Sequence, residues 1–523
     1  IGVYRTADRL MDKINESQQD LSSQLFWRSD TRRLYERAIE ACYLTGNLSN
    51  AFYFFEKSRA VLLNNQLKEQ QAGDINIASM AATKKKILEL ENELSSLNAS
   101  SREFADCQRA IFTEKEKLNS TYELMKADNP WYYQSLMDTN FISLSQVHQK
   151  FRDSRTEETV LEFFVGDSAV YLLSLDMDSS FLVRMDKPLF ESSVHLYNDY
   201  LSSSSAQNSD FKGFVKTSVG LYQQIFGRMR PPRGRVIISP DGEYFPFESL
   251  VSASAGPVYF INDHAVSYTY SVRFLLNDFE KNRIRTTHNF LGMAPVNYPA
   301  SFQLAPLSGS DQSLETIRAQ FKNASNLVTA EASRNNFMQQ FPHYSIIQLY
   351  THASDSSGRE EPVIYFADSA LYLSELIAES KTAAQLIVLS ACETGNGKLY
   401  KGEGVFSFNR GFAAIGIPSS VINLWSVDNE STYTLTELFY KYVSAGQPLD
   451  ISLQRAKLDF IARASKEKKL PYYWAAAIIV GKTDRVQLSH PFNWLEVAIL
   501  LGLVTFGLVF LLKKKKQKAS LHD

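Results

Sequence analysis

Apolar residues recur along this chain with several periods, and the period changes from one stretch to the next. Over residues 1–70 the spacing is helical: 31–44 and 48–67 read as two antiparallel helices parted by Thr45, Gly46 and Asn47, with Ala38, Ala41, Ala51 and Ala60 where two helices could approach closely. Over 80–127 it becomes a heptad. Leu90, Leu97, Phe104, Ile111, Leu118 and Met125 recur every seventh residue, and Ile87, Leu94 and Tyr122 fill half of the companion positions. Ser101, Gln108 and Lys115 interrupt the stripe, and Ser100 with Glu103 forms a capping-box pattern, so 71–128 reads as a coiled-coil rod or as a hairpin folded on itself. Asn129-Pro130 ends the helical part, and 129–154 reads as a linker.

Beyond the linker the runs shorten to strand length. TVLEFFV (159–165) and AVYLLSL (169–175) flank Gly166-Asp167-Ser168, a hairpin signal; a long helical segment follows, broken by serines at 202–205. RVIIS (235–239) ends in Pro240-Asp241-Gly242, which is turn chemistry. NFLGMA (289–294) opens the last part of the domain, followed by a Pro- and Gly-rich surface loop at 304–310 and a helix over 313–322. IIQLYT (346–351) and QLIVLSA (385–391) are short, apolar and bounded by polar residues, the pattern of strands buried on both faces of a parallel sheet. A further strand over 419–425, helices over 431–445 and 453–464, and a last strand over 475–480 complete the pattern. Residues 494–512 are nearly all apolar with Glu496 the one charge, and at ~1.5 Å per helical residue they match the ~30 Å hydrocarbon core, so a transmembrane helix is expected there. Lys513 to Lys516 and Lys518 in the tail 513–523 then place the tail in the cytoplasm and the large domain outside. The alternative is a tail-anchored protein facing the cytoplasm.

Composition narrows the chemistry. With 523 residues, two to four domains are expected, and 44% hydrophobic with 21% charged residues is an ordinary globular balance. A net charge of −2 gives no reason to invoke nucleic acid. Three cysteines, Cys42, Cys107 and Cys392, are too few for a disulfide scaffold. Cys42 and Cys107 lie in helical patterns and read as buried; His195, His264 and His288 have no partner motif. No cluster has metal-ligand spacing and no phosphate loop occurs, so no cofactor is expected. What remains is a thiol and an imidazole, Cys392 and His352, each just past a buried strand. Neighbouring parallel strands would bring them to one sheet edge, where open α/β sheets bind ligands. A thiol with a base is the minimum set for covalent acyl transfer.

The residues around that pair carry a resemblance. YTHA (350–353), LSACETG (389–395), GEG (402–404), NLWSVD (423–428) and PYYWA (471–475), with ISPDG (238–242) and FPFESL (245–250) upstream, resemble the signature of CHAT-domain proteins, in the clan of caspase, gingipain and separase cysteine peptidases. The resemblance covers 155–485, with the catalytic half about 289–485. It implies an α/β caspase-like fold, a mostly parallel sheet flanked by helices, with His352 and Cys392 catalytic and the backbone N–H groups of Ala353 and Cys392 holding the oxyanion. The clan usually has glycine after the histidine; here it is Ala353, harmless if its φ is negative. The strand ending at Asp428 would wall the pocket for the residue before the cut bond, with Trp425 beside it. Asp428 there is either a receptor for Arg or Lys or the cap of the following helix. The pair over 31–67 resembles a tetratricopeptide unit, implying further helical repeats upstream of Ile1. The expected fold class is therefore multidomain: a helical repeat and coiled-coil amino-terminal region, a CHAT domain and one carboxyl-terminal transmembrane helix. The expected function is a membrane-anchored cysteine endopeptidase whose repeats recruit a protein partner or substrate, or else a catalytically silent scaffold or sensor.

Overall fold

The computed structural model describes residues 1–16, 31–59, 63, 67, 75–128, 142–154, 157–229, 232–242, 244–253, 257–280, 283–354, 362–378, 382–391, 398–400, 404–406 and 408–489. In chain order the strands are β1 (Glu158–Val165), β2 (Ala169–Leu175), β3 (Ser180–Asp186), β4 (Arg235–Ser239), β5 (Val266–Tyr268), β6 (His288–Ala294), β7 (Ala324–Val328) and β8 (Tyr344–Tyr350). The short β9 (Ala353–Ser354), β10 (Val363–Tyr365) and β11 (Ala370–Tyr372) follow, then β12 (Leu386–Ser390), the pair β13 (Lys398–Tyr400) and β14 (Gly404–Phe406), β15 (Ser419–Asn423) and β16 (Ala477–Gly481).

Eleven of these form one sheet in the order β3-β2-β1-β4-β5-β16-β15-β12-β8-β6-β7. β1, β4, β5 and β16 run parallel to one another, and so do β15, β12, β8, β6 and β7. The two sets meet antiparallel at β15 and β16, so their carboxyl ends lie at opposite edges of the sheet. In the second set alternate side chains feed opposite faces. Leu291, Met293, Ile347, Leu349, Ile387 and Leu389 pack under Phe337, Leu376 and Phe412 on one side. Phe290 meets Phe321 and Tyr440 on the other, so both faces of this part of the sheet are covered, in keeping with the mostly apolar runs of β8 and β12.

Residues 75–128 form two helices, Ile75–Ser96 and Arg102–Asp128, joined at Leu90, Cys107 and Ile111 and by the Lys115–Glu91 ion pair. The second helix is capped by Ser101, whose hydroxyl accepts from Phe104 N at 3.0 Å, one residue beyond the Ser100 expected from the capping box. Within the expected linker, helix Leu144–Ser154 buries Leu144, Val147 and Phe151. The expected helix over 313–322 is observed as Ser310–Arg318.

The membrane part of the expected fold class and location is corrected. Among the described residues no helix is long and apolar enough to cross a membrane; the longest, Ile75–Ser96 and Arg102–Asp128, carry runs of Lys and Glu that hydrocarbon would not solvate. The stretch 494–512 and the tail 513–523 lie outside the described residues, and the single-pass topology is not carried forward.

Helices Arg32–Thr45 and Leu48–Lys57 are tied to the carboxyl ends of β1 and β4. Glu36 accepts the N–H groups of Asp167 and Ser168, each at 2.8 Å, and the Ser168 hydroxyl at 2.6 Å, so the β1–β2 turn is read by one carboxylate. Gly166 makes room for it, since a Cβ there would sit 2.4 Å from a Glu36 oxygen. Burial alone would raise the Glu36 pKa; the Ser168 hydroxyl and the two N–H groups outweigh it and hold the carboxyl below its ordinary value. A depressed carboxylate stabilises the fold above its unfolded pKa of ~4.3 and loses that contribution as pH falls through the lower folded value. Glu36→Gln is therefore expected to lower unfolding free energy by about 1–3 kcal/mol at pH 7. In urea titrations at a series of pH values the gap from the parent should close below about pH 4.

Candidate active site

Register sets the geometry. Tyr350 stands opposite Ser390 in the β8–β12 ladder, and Met293, Leu349, Leu389 and Ile422 form one row across β6, β8, β12 and β15. Three residues further along each segment come Val296, His352, Cys392 and Trp425. Cys392 lies outside the described residues, together with the rest of 392–397; the strand leading to it is described as far as Ala391, which is buried.

His352 is held from several directions. Its Nε2 is 2.8 Å from the Ala305 carbonyl oxygen, which can only accept, so Nε2 carries the proton and Nδ1 is left as the acceptor in the neutral ring. The Tyr298 ring meets the imidazole edge to face at 5.1 Å, and the Tyr298 hydroxyl donates to Thr351 Oγ1 at 3.2 Å. Burial pushes the Tyr298 phenol up to about 12, so it is a neutral donor at physiological pH. The His352 carbonyl accepts from Tyr365 N at 3.0 Å.

Ala353 pairs with Ile364 across β9 and β10. With Tyr365 N bonded to the His352 carbonyl, the Ala353–Ile364 pair is of the non-hydrogen-bonded kind, so the Ala353 N–H points away from β10. The backbone here is extended, and a methyl group where the clan has glycine adds no strain.

The two residues expected to wall the pocket make contacts of their own. Trp425 is buried and donates its indole N–H to the Tyr472 carbonyl at 3.0 Å. Asp428 caps helix Asn429–Ser444, accepting from Ser431 N at 3.1 Å, and Lys468 Nζ lies 3.3 Å from the same carboxylate. A cavity of about 20 Å³ beside the ends of β12 and β15 is lined by Ser390, Asn423, Val427, Thr432, Leu435 and Tyr473 among others, and its lining includes no charged side chain. Cys42 and Cys107 are buried free thiols, and burial pushes the Cys42 thiol up to about 11. His264 packs on Phe260 with Nδ1 2.9 Å from the Gly234 carbonyl oxygen, His195 is exposed, and the His288 ring lies tilted against Tyr344 at 5.0 Å.

Two features were not anticipated. Gln348 is fully buried in β8, donates to Ser390 Oγ at 3.1 Å and accepts from the Tyr440 hydroxyl at 3.0 Å, thereby linking both strands to helix Asn429–Ser444. Its signal was a lone amide inside IIQLYT, matched by the lone serine of LIVLSA. The contacts of Tyr298 and Ala305 with His352 had no comparable signal, because a backbone carbonyl is the same in every residue.

Asp428→Ala is expected to cost about 1 kcal/mol of stability, the usual loss for an N-cap, measurable by urea unfolding. Since its charge is already met by Lys468 and Ser431 N, any preference for Arg or Lys before the cut bond should be unchanged in the same variant.

A family model described as the CHAT domain matches residues 217–482, just over half of the chain. No curated protein matches. Among solved structures, two crystal structures of the Saccharomyces cerevisiae separase–securin complex match with a TM-score of 0.44 and 10% identity, covering 88% of this chain and 41% and 40% of the matched chains. The crystal structure of the Arg specific cysteine proteinase gingipain R matches with a TM-score of 0.33 and 10% identity, covering 56% of this chain and 73% of that one. The chain spans about two fifths of the length of the separase-complex chains it matches. With the family's pattern matched over more than half its length, the chain belongs to the CHAT domain family.

Proposed function

We propose that this chain is a cysteine endopeptidase in which Cys392 is the nucleophile and His352 its base. The observation that carries the reading is the register of β8 and β12, in which both residues follow the same row by three positions, together with the Ala305 carbonyl that leaves Nδ1 of His352 free to take a proton. A thiol near its free pKa of ~8.5 is mostly protonated at neutral pH, and a neighbouring imidazole raises the thiolate fraction. The thiolate attacks the peptide carbonyl, the Ala353 N–H and the Cys392 N–H hold the developing oxyanion, and His352 returns the proton to the leaving amine before water clears the acyl group. Neither Asp428 nor Trp425 supplies a specificity pocket in this reading. The helices of 1–128 present Val3, Leu10, Leu44, Phe112 and Leu124 as exposed apolar side chains, which suits them to meet a protein partner or substrate.

The test is labelling of the full chain by a thiol-reactive peptide probe at pH 7. Labelling should vanish in Cys392→Ala and slow by about 10²-fold or more in His352→Ala, the usual weight of a general base. Labelling that persists without Cys392 would leave a non-catalytic scaffold as the better description.

A further inference from the structure

The loop after β6 is built around a costly turn. Asn297 N donates to the Pro295 carbonyl at 2.7 Å, closing a γ-turn on Val296, whose φ of 63° lies in the left-handed region. A β-branched residue there is an outlier that persists only when its surroundings hold it. What holds it is visible. Leu307 N donates to the Val296 carbonyl at 2.8 Å, so 296–307 closes on its own base, and the Tyr433 hydroxyl donates to the Leu307 carbonyl at 3.4 Å. Phe302 packs on Tyr365 at 5.2 Å. Between these anchors the loop meets the His352 segment at three points: the Tyr298 ring edge, the Ala305 carbonyl, and the Tyr298 hydroxyl on Thr351, which itself donates to the Tyr365 carbonyl.

We propose that residues 295–307 are a strap that positions the His352 imidazole, and that Tyr298 is its positioning residue. The hydroxyl pins the backbone one residue before the histidine through Thr351, while the ring and the Ala305 carbonyl set the imidazole with Nε2 protonated. The opposite tautomer would turn a lone pair toward the carbonyl and leave no acceptor for the thiol proton on Nδ1. The strap's catalytic consequence rests on His352 being the base; its effect on the ring does not.

The two are separated by nitrogen-15 NMR of histidine-labelled full chain, which reads the tautomer without requiring turnover. Tyr298→Phe keeps the ring and removes the hydroxyl, and Thr351→Val keeps the shape and removes the other half of the link. Each should lower the Nε2–H to Nδ1–H ratio of His352 by roughly 3- to 10-fold, the range of one net hydrogen bond. The double variant should go no lower than the stronger single one, because both break the same link. On a cleaved peptide kcat should fall by a similar factor with KM unchanged. Should one variant fail to fold, the other carries the same readout. An unchanged tautomer ratio in the folded single variants overturns the strap, and so do effects that simply add. If the ratio moves as stated while the parent cuts no peptide, the strap stands and the peptidase reading falls.

Discussion

The register between β8 and β12 is the constraint on which the candidate site depends. A slip of one residue in either strand would exchange its two faces, sending Leu349 or Leu389 out of the core packed by Phe337 and Phe412. Apolar packing alone resists a one-residue slip but is less decisive against a slip of two, which restores the faces. The buried amide of Gln348 removes that freedom, because only the observed pairing puts it within hydrogen-bond reach of Ser390 and of Tyr440 together. A polar link in a dry sheet is stabilising only when it is satisfied, and that requirement makes it a gauge of alignment.

The amino-terminal helices are fastened to the other set of strands with comparable strictness. Glu56 accepts the N–H groups of Val272 at 3.0 Å and Arg273 at 2.9 Å, and the Arg59 guanidinium donates to the Ser239 carbonyl at 3.2 Å, to its hydroxyl at 2.7 Å and to the Phe163 carbonyl. Glu162 lies within this cluster. Burial, and then the charge of Glu56, push its pKa well above the usual carboxylate range, while the Arg59 guanidinium 3.9 Å away opposes them. Because the two sets of strands run in opposite senses, this junction sits at the edge of the sheet away from His352.

How much of this was legible follows from what each element buries. β8 and β12 were plain in the sequence because helices cover both faces, leaving almost no polar interruption. β7 was not, since Ala324–Val328 is an edge strand, half-exposed along its whole length, and its composition is that of a loop. Helix Leu144–Ser154 hid because it buries only Leu144, Val147 and Phe151 among polar neighbours. Asp428 was read both as a pocket residue and as a helix cap, and its contacts with Ser431 N and Lys468 are those of the cap. The strap around His352 had no residue signature at all; Leu304 to Ser310 looked like an ordinary surface loop, and only folding reveals where the Ala305 oxygen points.

One feature of the topology bears on how the protein is made. β16 follows every other strand among the described residues, yet it lies mid-sheet, pairing with β5 on one side and β15 on the other. Until the ribosome has delivered residues 477–481, the two sets of strands are not joined and each exposes an unpaired border. The half that carries His352 therefore cannot be finished ahead of the rest, and a prematurely terminated polypeptide lacks the strand that joins the sheet.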